Sequence, residues 1–188
     1  EEFGLQSGEE YVKDLNWFDK IYPILRQVGA RKAVDPGGSA ANTIAALARM
    51  GFGTGFYGVI GRNDAELIRL EELGKAENLR IRRVSMPAGR CLSLINKDDA
   101  EKDRALVILP NANDLAGDTT DISYFSRAEF VHFSSFVSRG PLLAQAKLCQ
   151  ELPESTKITF DPGSIYCSMG IDAILTILKR TYILFITR

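Results

Sequence analysis

The spacing of apolar residues changes twice along the chain. In residues 16–28 apolar side chains recur at three- and four-residue intervals, which predicts an amphipathic helix with Asn16 as its N-cap and Gly29 at its end. Similar patterns predict helices at 40–50, 65–76, 141–152 and 171–180, and strands at 54–60, 129–133, 157–161 and 182–187. The last strand is almost continuously apolar, as expected of a strand covered on both faces.

The middle of the chain follows a different pattern. Three short runs with strand spacing, separated by polar turns, lie at 80–86, 90–96 and 104–109. Their order predicts an antiparallel meander rather than a strand–helix–strand unit. Because helices and strands alternate before and after this meander, the sequence predicts an α/β fold, in which a parallel-sheet domain carries a small antiparallel sheet.

The same changes of pattern give the domain boundaries. Residues 1–79 are predicted as the first part of the α/β domain, 80–109 as the inserted sheet, and 110–188 as the continuation of the α/β domain. The segment before Asn16 has no clear opening strand, and the sequence stops within a central-looking strand. We therefore expect the chain to be incomplete at both ends.

Composition narrows the possible functions. With 45% hydrophobic and 25% charged residues among 188, the chain is typical of a soluble globular domain. A formal net charge of −1 gives no global positive field for nucleic acid or anionic lipid. No apolar run reaches the roughly 18 residues of a membrane span, and no basic-then-apolar leader opens the sequence. The three cysteines lack paired spacing, which argues against a disulfide framework or a zinc site and favours a cytoplasmic location.

The candidate chemistry lies at residues 36–43, in the segment Pro-Gly-Gly-Ser-Ala-Ala-Asn-Thr. Gly37 and Gly38 let the backbone approach a ligand, and they precede a helix whose first N–H groups favour an oxygen-rich or anionic partner. Asn42, in the first turn, offers one acceptor and two donors to adjacent hydroxyls. The segment predicts a cradle for a polar small molecule. The alternative is a glycine-rich loop with Ser39 as the N-cap.

Two other candidates are weaker. The segment Gly51-Phe52-Gly53-Thr54-Gly55 resembles a dinucleotide fingerprint, but its third glycine comes one residue early and it leads into a strand. This disfavours a dinucleotide-dependent oxidoreductase. The single histidine, His132, lies within an apolar strand, where we expect a hydrogen-bonded core histidine.

The glycine-rich segment belongs to a longer signature. The order Gly37-Gly38-Ser39-Ala40-Ala41-Asn42, then Gly51, then Gly61 resembles the N-terminal signature of the ribokinase family, the PfkB-type carbohydrate and nucleoside kinases. The turn at 61–64, Gly-Arg-Asn-Asp, is similar to the family's Gly-x-x-Asp turn. Residues 80–113 resemble the family's lid and its return to the main domain. Ser39 and the segment 160–163, Phe-Asp-Pro-Gly, resemble the adenosine-kinase-like branch most.

The resemblance implies a ribokinase-like fold with a β lid, and phosphoryl transfer from ATP, with Mg²⁺, to a hydroxyl of a sugar or nucleoside. By resemblance, the substrate-binding residues are Gly37, Gly38, Ser39, Asn42, Asn113 and Ser135, and Asp161 has a structural role. The family's general base and most of its nucleotide site would lie beyond Arg188. The catalytic residues therefore stay unassigned, no metal ligand is assigned, and the chain alone is expected to be inactive.

Two function classes stay open, a kinase and a non-catalytic module that binds a sugar or nucleoside. Either class implies a small-molecule partner, and neither nucleic acid nor a membrane is expected. The strand Cys91-Leu92-Ser93-Leu94-Ile95 has apolar or small residues on both faces, which predicts a homodimer through the lid.

Overall fold

The computed structural model describes residues 3–29, 37–61, 78–96, 98, 103–117 and 121–186. The predicted helix at 65–76, the first residue of the glycine-rich segment, Pro36, and residues 62–64 of the predicted turn lie outside these residues. The elements, in chain order, are β1 (Glu10–Val12), α1 (Leu15–Val28), α2 (Ser39–Arg49), β2 (Gly55–Ile60), β3 (Asn78–Arg83), β4 (Arg90–Ile95), β5 (Arg104–Leu109), a 3-10 helix (Asn111–Leu115), α3 (Ile122–Phe125), β6 (Phe130–Ser134), α4 (Arg139–Glu151), β7 (Lys157–Asp161), α5 (Gly163–Ser168), α6 (Ile171–Leu178) and β8 (Thr181–Leu184).

The main hydrophobic core lies against a parallel sheet of order β6-β7-β8, which we call the C-terminal sheet. Alternate side chains of β6 and β7 point to one face, and Val131, Phe133, Ile158 and Phe160 are all at most 5% exposed there. Residues of α4 and α6 cover this face and complete the core. Each large side chain buried in this way contributes roughly 1.5–3 kcal/mol, so this packing determines where the polar ends of the strands lie.

The opposite face of the C-terminal sheet is more polar. By strand alternation it carries His132 of β6 beside Thr159 of β7, with Asp161 at the end of β7. The edge strand β8 is exposed, with Tyr182 at 64% and the following Ile186 at 71%. The prediction of a final strand covered on both faces is therefore wrong for the described structure, because the consecutive residues Tyr182 and Ile183 point to opposite faces and are 64% and 42% exposed.

The strands β2 and β3 form a separate parallel pair, with Gly55 opposite Asn78 and Ile60 opposite Arg83. The predicted meander is wrong for its first strand, which pairs with the strand before it and not with the strands after it. Alternating side chains predict a strand but do not specify its partner. The connection at 61–77 is long enough for the crossover that a parallel pair requires.

The other two strands of the predicted meander are antiparallel, as expected, with Arg90 opposite Leu109 and Ile95 opposite Arg104. On its other side β5 pairs in parallel with β1, so the order is β1-β5-β4, and we call this sheet the lid sheet. The sequence analysis missed β1 because a strand of three residues in a charged segment has no detectable alternation.

The helix α1 lies next to the lid sheet. Its N-cap is Asp14 and not Asn16, because the Oδ1 atom of Asp14 accepts the backbone N–H of Trp17 at 2.8 Å. The buried aromatic residue of the helix is Phe18, and the guanidinium carbon of Arg90 on β4 lies 5.6 Å from its ring centroid. None of the helices within the described ranges is long and apolar enough to cross a membrane.

Backbone segments from three parts of the chain meet where the lid sheet joins the α/β domain. We call this junction, made of Gly61, residues 86–89 and residues 110–113, the hinge. The Ala112 N–H donates to the Pro87 carbonyl at 3.0 Å, and the Asn111 side-chain amide donates to the Ala88 carbonyl at 2.9 Å. Asn111 has a φ of 46°, a left-handed conformation that asparagine tolerates better than most residues.

Gly61 is required in the hinge because it has no side chain. A Cβ atom at this position would lie 2.5 Å from the Met86 carbonyl oxygen and 2.5 Å from the Pro87 carbonyl carbon, both of them backbone atoms. We expect Gly61→Ala to lower the free energy of unfolding by about 1–3 kcal/mol or more, since backbone cannot move away as a flexible side chain can. Urea denaturation of the intact protein measures this change.

The matched control is Gly140→Ala. Gly140 lies in the first turn of α4, and a Cβ there would meet nothing within 4 Å. Because alanine is the better helix former, this variant should be unchanged or more stable by up to about 1 kcal/mol. Equal stabilities of the two variants would contradict the close backbone packing at Gly61.

Candidate functional site

A single large groove contains all six predicted site residues. The groove runs along α2, the β2–β3 pair and β6 with the loop that follows it, Glu10 and Ile108 of the lid sheet also line it, and its volume is about 2270 Å³. A closed pocket for a small molecule is typically ~300–1,000 Å³, so this groove is an open cleft. The predicted residues that line it are Gly37, Gly38, Ser39, Asn42, Asn113 and Ser135. What they bind stays a prediction.

The start of α2 forms the predicted cradle. Gly38 is the N-cap residue, with a φ of 98° that favours glycine, and Ser39 is the first helical residue. The alternative with Ser39 as a capping residue is therefore wrong. The first N–H groups of the helix have no acceptor within the helix, and together with the helix dipole they favour a ligand oxygen at this end.

Asn42 lies one turn into the same helix. Its backbone N–H donates to the Gly38 carbonyl at 3.0 Å as part of the helix. Its side chain is exposed, lines the groove, and has no hydrogen bond within the part of the chain that the structure describes. An amide that served only to satisfy loop carbonyls would be bonded to them, so the geometry favours a side chain that is available to a ligand.

Asp161 joins the cradle to the C-terminal sheet. Its Oδ2 atom accepts the Ser39 hydroxyl at 3.1 Å, and its Oδ1 atom accepts the Gly163 N–H at 3.1 Å. Hydrogen bonds to a carboxylate are stronger than those between neutral groups. Both carboxylate oxygens of Asp161 thus accept hydrogen bonds, and the structural role that the family resemblance implies for it stays a prediction.

Ser135 and Asn113 approach the groove from two other loops. Ser135 follows β6, and its hydroxyl would be 2.8 Å from a Cβ atom on Gly163. The Asn113 side chain lies against Gly89 in the hinge, where a side chain on residue 89 would overlap its amide. The structure thus brings both residues to the groove wall, one beside the Asp161 segment and one beside the lid sheet.

A buried network holds the loop that carries Ser135. The Gln145 amide on α4 donates to the Ser134 carbonyl at 2.9 Å, and its oxygen accepts the Tyr166 hydroxyl at 3.0 Å. Burial raises the pKa of Tyr166, so this hydroxyl remains a donor throughout the physiological range. The loops after β6 and β7 are therefore fixed to each other through the core.

His132 lies in the wall of the groove and is half-buried. Its Nδ1 atom is 2.9 Å from the Thr159 hydroxyl, and the Phe185 ring centroid lies 6.0 Å from its own. Its Nε2 atom is buried and has no hydrogen-bond partner among the described residues. The expectation of a hydrogen-bonded core histidine is thus confirmed for one ring nitrogen only. Burial lowers the pKa of His132, and the nearby Asp161 carboxylate partly opposes this shift.

Glu10 is a groove residue that the sequence analysis missed. Glu10 on β1 lines the groove, and its carboxylate accepts a hydrogen bond from the Ser164 hydroxyl of α5. No local pattern marks Glu10, because β1 has only three residues. Its partner Ser164 lies 154 positions away in the chain, so no spacing in the sequence connects the two.

Known proteins share both sequence and fold with the chain. The profile of the pfkB family carbohydrate kinases matches residues 18–188. An uncharacterized sugar kinase of Archaeoglobus fulgidus is 27% identical over 138 residues, which cover 73% of this chain and 55% of the relative.

Solved structures extend the likeness to nearly the whole chain. The adenosine kinase of Anopheles gambiae in complex with P1,P4-di(adenosine-5) tetraphosphate matches 97% of this chain and 56% of its own, with a TM-score of 0.77 at 15% identity. The ribokinase of Thermotoga maritima matches 88% of this chain and 52% of its own, with a TM-score of 0.60 at 23% identity. These matches confirm the expected ribokinase-like α/β fold. The chain spans about half the length of these relatives.

The lowered pKa of His132 predicts acid sensitivity. The unfolded chain, with a histidine pKa of 6.5, binds a proton more readily than the folded protein, so the free energy of unfolding should fall as pH drops below 6.5 and be retained above it. His132→Asn removes the only titrating histidine in the sequence. We expect the melting temperature of this variant to fall less than that of the parent between about pH 7.5 and pH 5.5.

The control is Thr159→Val, which removes the hydrogen-bond partner of His132 but keeps the titrating ring. This variant should retain the acid sensitivity of the parent. If His132→Asn lost as much stability on acidification as the parent, the burial of His132 would not be the cause.

Proposed function

Because the chain belongs to the pfkB family of carbohydrate kinases, we propose that the intact protein transfers a phosphoryl group from ATP to a hydroxyl of a sugar or nucleoside. One observation carries the proposal. The helix start at Gly38 and Ser39 and the exposed Asn42 line a groove that Glu10 and Ile108 of the lid sheet also line. This arrangement suits a hydroxyl-bearing acceptor that must be oriented and shielded from water.

The described residues suit the acceptor side of this reaction. The first N–H groups of α2 and the Asn42 amide can bind adjacent hydroxyls, and a fixed orientation of the acceptor supplies much of the rate in phosphoryl transfer. The lid sheet limits the access of water, which would compete as acceptor. Asp161 keeps the cradle at the carboxyl end of β7 and takes no part as a base in this proposal.

ATP and Mg²⁺ enter the proposal through family membership alone. Within the described ranges, no group of three or more His, Cys, Asp or Glu side chains could hold a metal ion. Both oxygens of Asp161 already accept hydrogen bonds from Ser39 and Gly163. The described residues therefore do not fit a metal site, and we assign no step of phosphoryl transfer to them.

A module that binds a sugar or nucleoside without phosphorylating it is the second candidate. This candidate rests on the same observation, the helix start and Asn42 at the groove, because such residues could bind an acceptor without phosphorylating it. The two candidates differ in one measurement, the formation of phosphorylated product by the intact protein with ATP and Mg²⁺.

Nucleosides are the first acceptors to test. Ser39, directly after the two glycines, and the segment 160–163 both resemble the adenosine-kinase-like branch. We also propose a cytoplasmic location, which suits Cys91, Cys149 and Cys167, all of which are free thiols in the structure.

We propose that a second copy of the chain binds along β4, the outer strand of the lid sheet. Ile95 is 60% exposed there, and an edge strand presents unpaired backbone groups to a partner. We expect Ile95→Lys to shift the protein from dimer to monomer, while Val28→Lys, at a 72% exposed position of α1, should leave the dimer intact. Analytical ultracentrifugation at micromolar concentration measures both, and a monomeric parent protein would contradict the proposal.

The cradle is tested by Asn42→Ala in the intact protein. Loss of a hydrogen bond to a substrate hydroxyl should cost about 1–3 kcal/mol. This raises the KM or Kd for the sugar or nucleoside acceptor by roughly 5- to 150-fold. The melting temperature should change little, because alanine is the better helix former. Assays with ATP and a panel of sugars and nucleosides, followed by thermal unfolding, measure both quantities.

The matched control is Asn16→Ala, which removes an exposed asparagine from the first turn of α1. It should leave acceptor affinity unchanged. Unchanged affinity in Asn42→Ala, combined with a lowered melting temperature, would show that Asn42 serves the loop and not a ligand. If no acceptor were phosphorylated but one bound, the binding-module candidate would replace the kinase.

A further inference from the structure

We propose that Glu10 and Ser164 form a latch that holds the lid sheet at the groove. The two are positioning residues for the acceptor, and this inference rests on the proposed function of the groove. The Ser164 hydroxyl donates to the Glu10 Oε2 atom, and the two residues are 154 positions apart in the chain. Glu10 lies on β1 of the lid sheet, and Ser164 lies in the first turn of α5. The hydrogen bond therefore joins the lid sheet directly to the α/β domain.

The position of Ser164 is tied to that of the cradle. Pro162 is buried between Asp161 and Gly163, and Gly163 has a φ of 54°, so the chain makes a tight corner after β7. At one end of this corner Asp161 accepts the hydroxyl of Ser39 in the cradle. At the other end Ser164 reaches Glu10. The corner at residues 161–164 thus contacts both the cradle and the lid sheet.

Latch and hinge attach the lid sheet in different ways. The hinge is made largely of backbone contacts, such as the Ala112 N–H with the Pro87 carbonyl at 3.0 Å. The latch is one hydrogen bond between two exposed side chains. An exposed bond of this kind is weak enough to break while the backbone contacts persist. Breaking it would free β1 from α5 without unfolding either sheet.

The position of Glu10 in its sheet links the latch to the rest of the lid. Glu10 is opposite Leu106 of β5, and Leu106 is opposite Ser93 of β4, so the three strands are in register at this point. Ile108, two residues further along β5, also lines the groove. Holding Glu10 therefore also holds Ile108, the other lid-sheet residue that lines the groove, in place.

The first test is kinetic. In the intact protein, Ser164→Ala and Glu10→Ala should each raise the KM for the acceptor by about 3- to 30-fold and change kcat less than KM, because the closed lid becomes less populated. The double variant should be no worse than either single variant, since both remove the same bond. Ser164→Thr keeps the hydroxyl and should restore the parental KM. Additive effects, or no rise in KM, would overturn the latch.

Ser168→Ala is the matched control for the helix. Its hydroxyl donates to the Ile165 carbonyl at 2.7 Å within the same short segment and reaches no part of the lid sheet. If Ser168→Ala raised the KM as much as Ser164→Ala, the effect would come from a loosened α5 and the latch would be refuted.

The second test does not depend on activity. With the exposed Cys91 and Cys167 replaced by serine, Glu10→Cys and Ser164→Cys are combined in the intact, ligand-free protein and treated with a short thiol-reactive crosslinker. We expect an intramolecular crosslink, detected by mass spectrometry of peptides, and absence of the crosslink would overturn the latch. If no sugar or nucleoside were phosphorylated, the proposed function would fail, and the crosslink alone would still decide whether lid and corner meet.

Discussion

The carboxylate of Asp161 is the contact on which the geometry of the groove depends. It extends from the end of β7, whose other residues are fixed by the main core, and accepts hydrogen bonds from Ser39 and Gly163. The N-cap of α2 is a glycine with no side chain of its own to bond the helix. A negative charge near this end is also favoured by the helix dipole. Asp161 thereby attaches the solvent-exposed start of α2 to the well-packed C-terminal sheet.

The two halves of the described structure are stabilised differently. Ile158 and Phe160 in the C-terminal sheet and Tyr166 in α5 are completely buried, and α4 and α6, which cover the sheet, come from the same part of the chain. The lid sheet has three strands, one of only three residues, and its buried side chains Val107 and Leu109 lie outside the main core. A rigid support with a less strongly attached cover is the arrangement expected of a site that must admit a ligand and then exclude water.

Local patterns were sufficient for the elements and insufficient for their partners. The strand β7 was predicted at its observed bounds, because Ile158 and Phe160 alternate with polar residues and face one core. The cradle was predicted because its glycines and Asn42 lie within one short segment. The pairing of β3 with β2 was missed, since alternation contains no information about the neighbouring strand. The Asp14 cap was misplaced at Asn16, because both residue types cap helices and only the bond to Trp17 distinguishes them. Glu10 was missed because its role depends on a residue 154 positions away.

The long separations within the groove also have a consequence for the order of folding. The Ser39–Asp161 and Glu10–Ser164 bonds close loops of 122 and 154 residues, whereas β6, β7 and β8 pair with near neighbours in the sequence. Closing a long loop costs more chain entropy than closing a short one, so local pairings form first. We therefore expect the C-terminal sheet to assemble early and to serve as the surface on which earlier parts of the chain dock. The two long-range bonds, which attach the cradle and β1 of the lid sheet to this surface, would form last, although β4 and β5 are neighbours in the sequence and can pair early on their own.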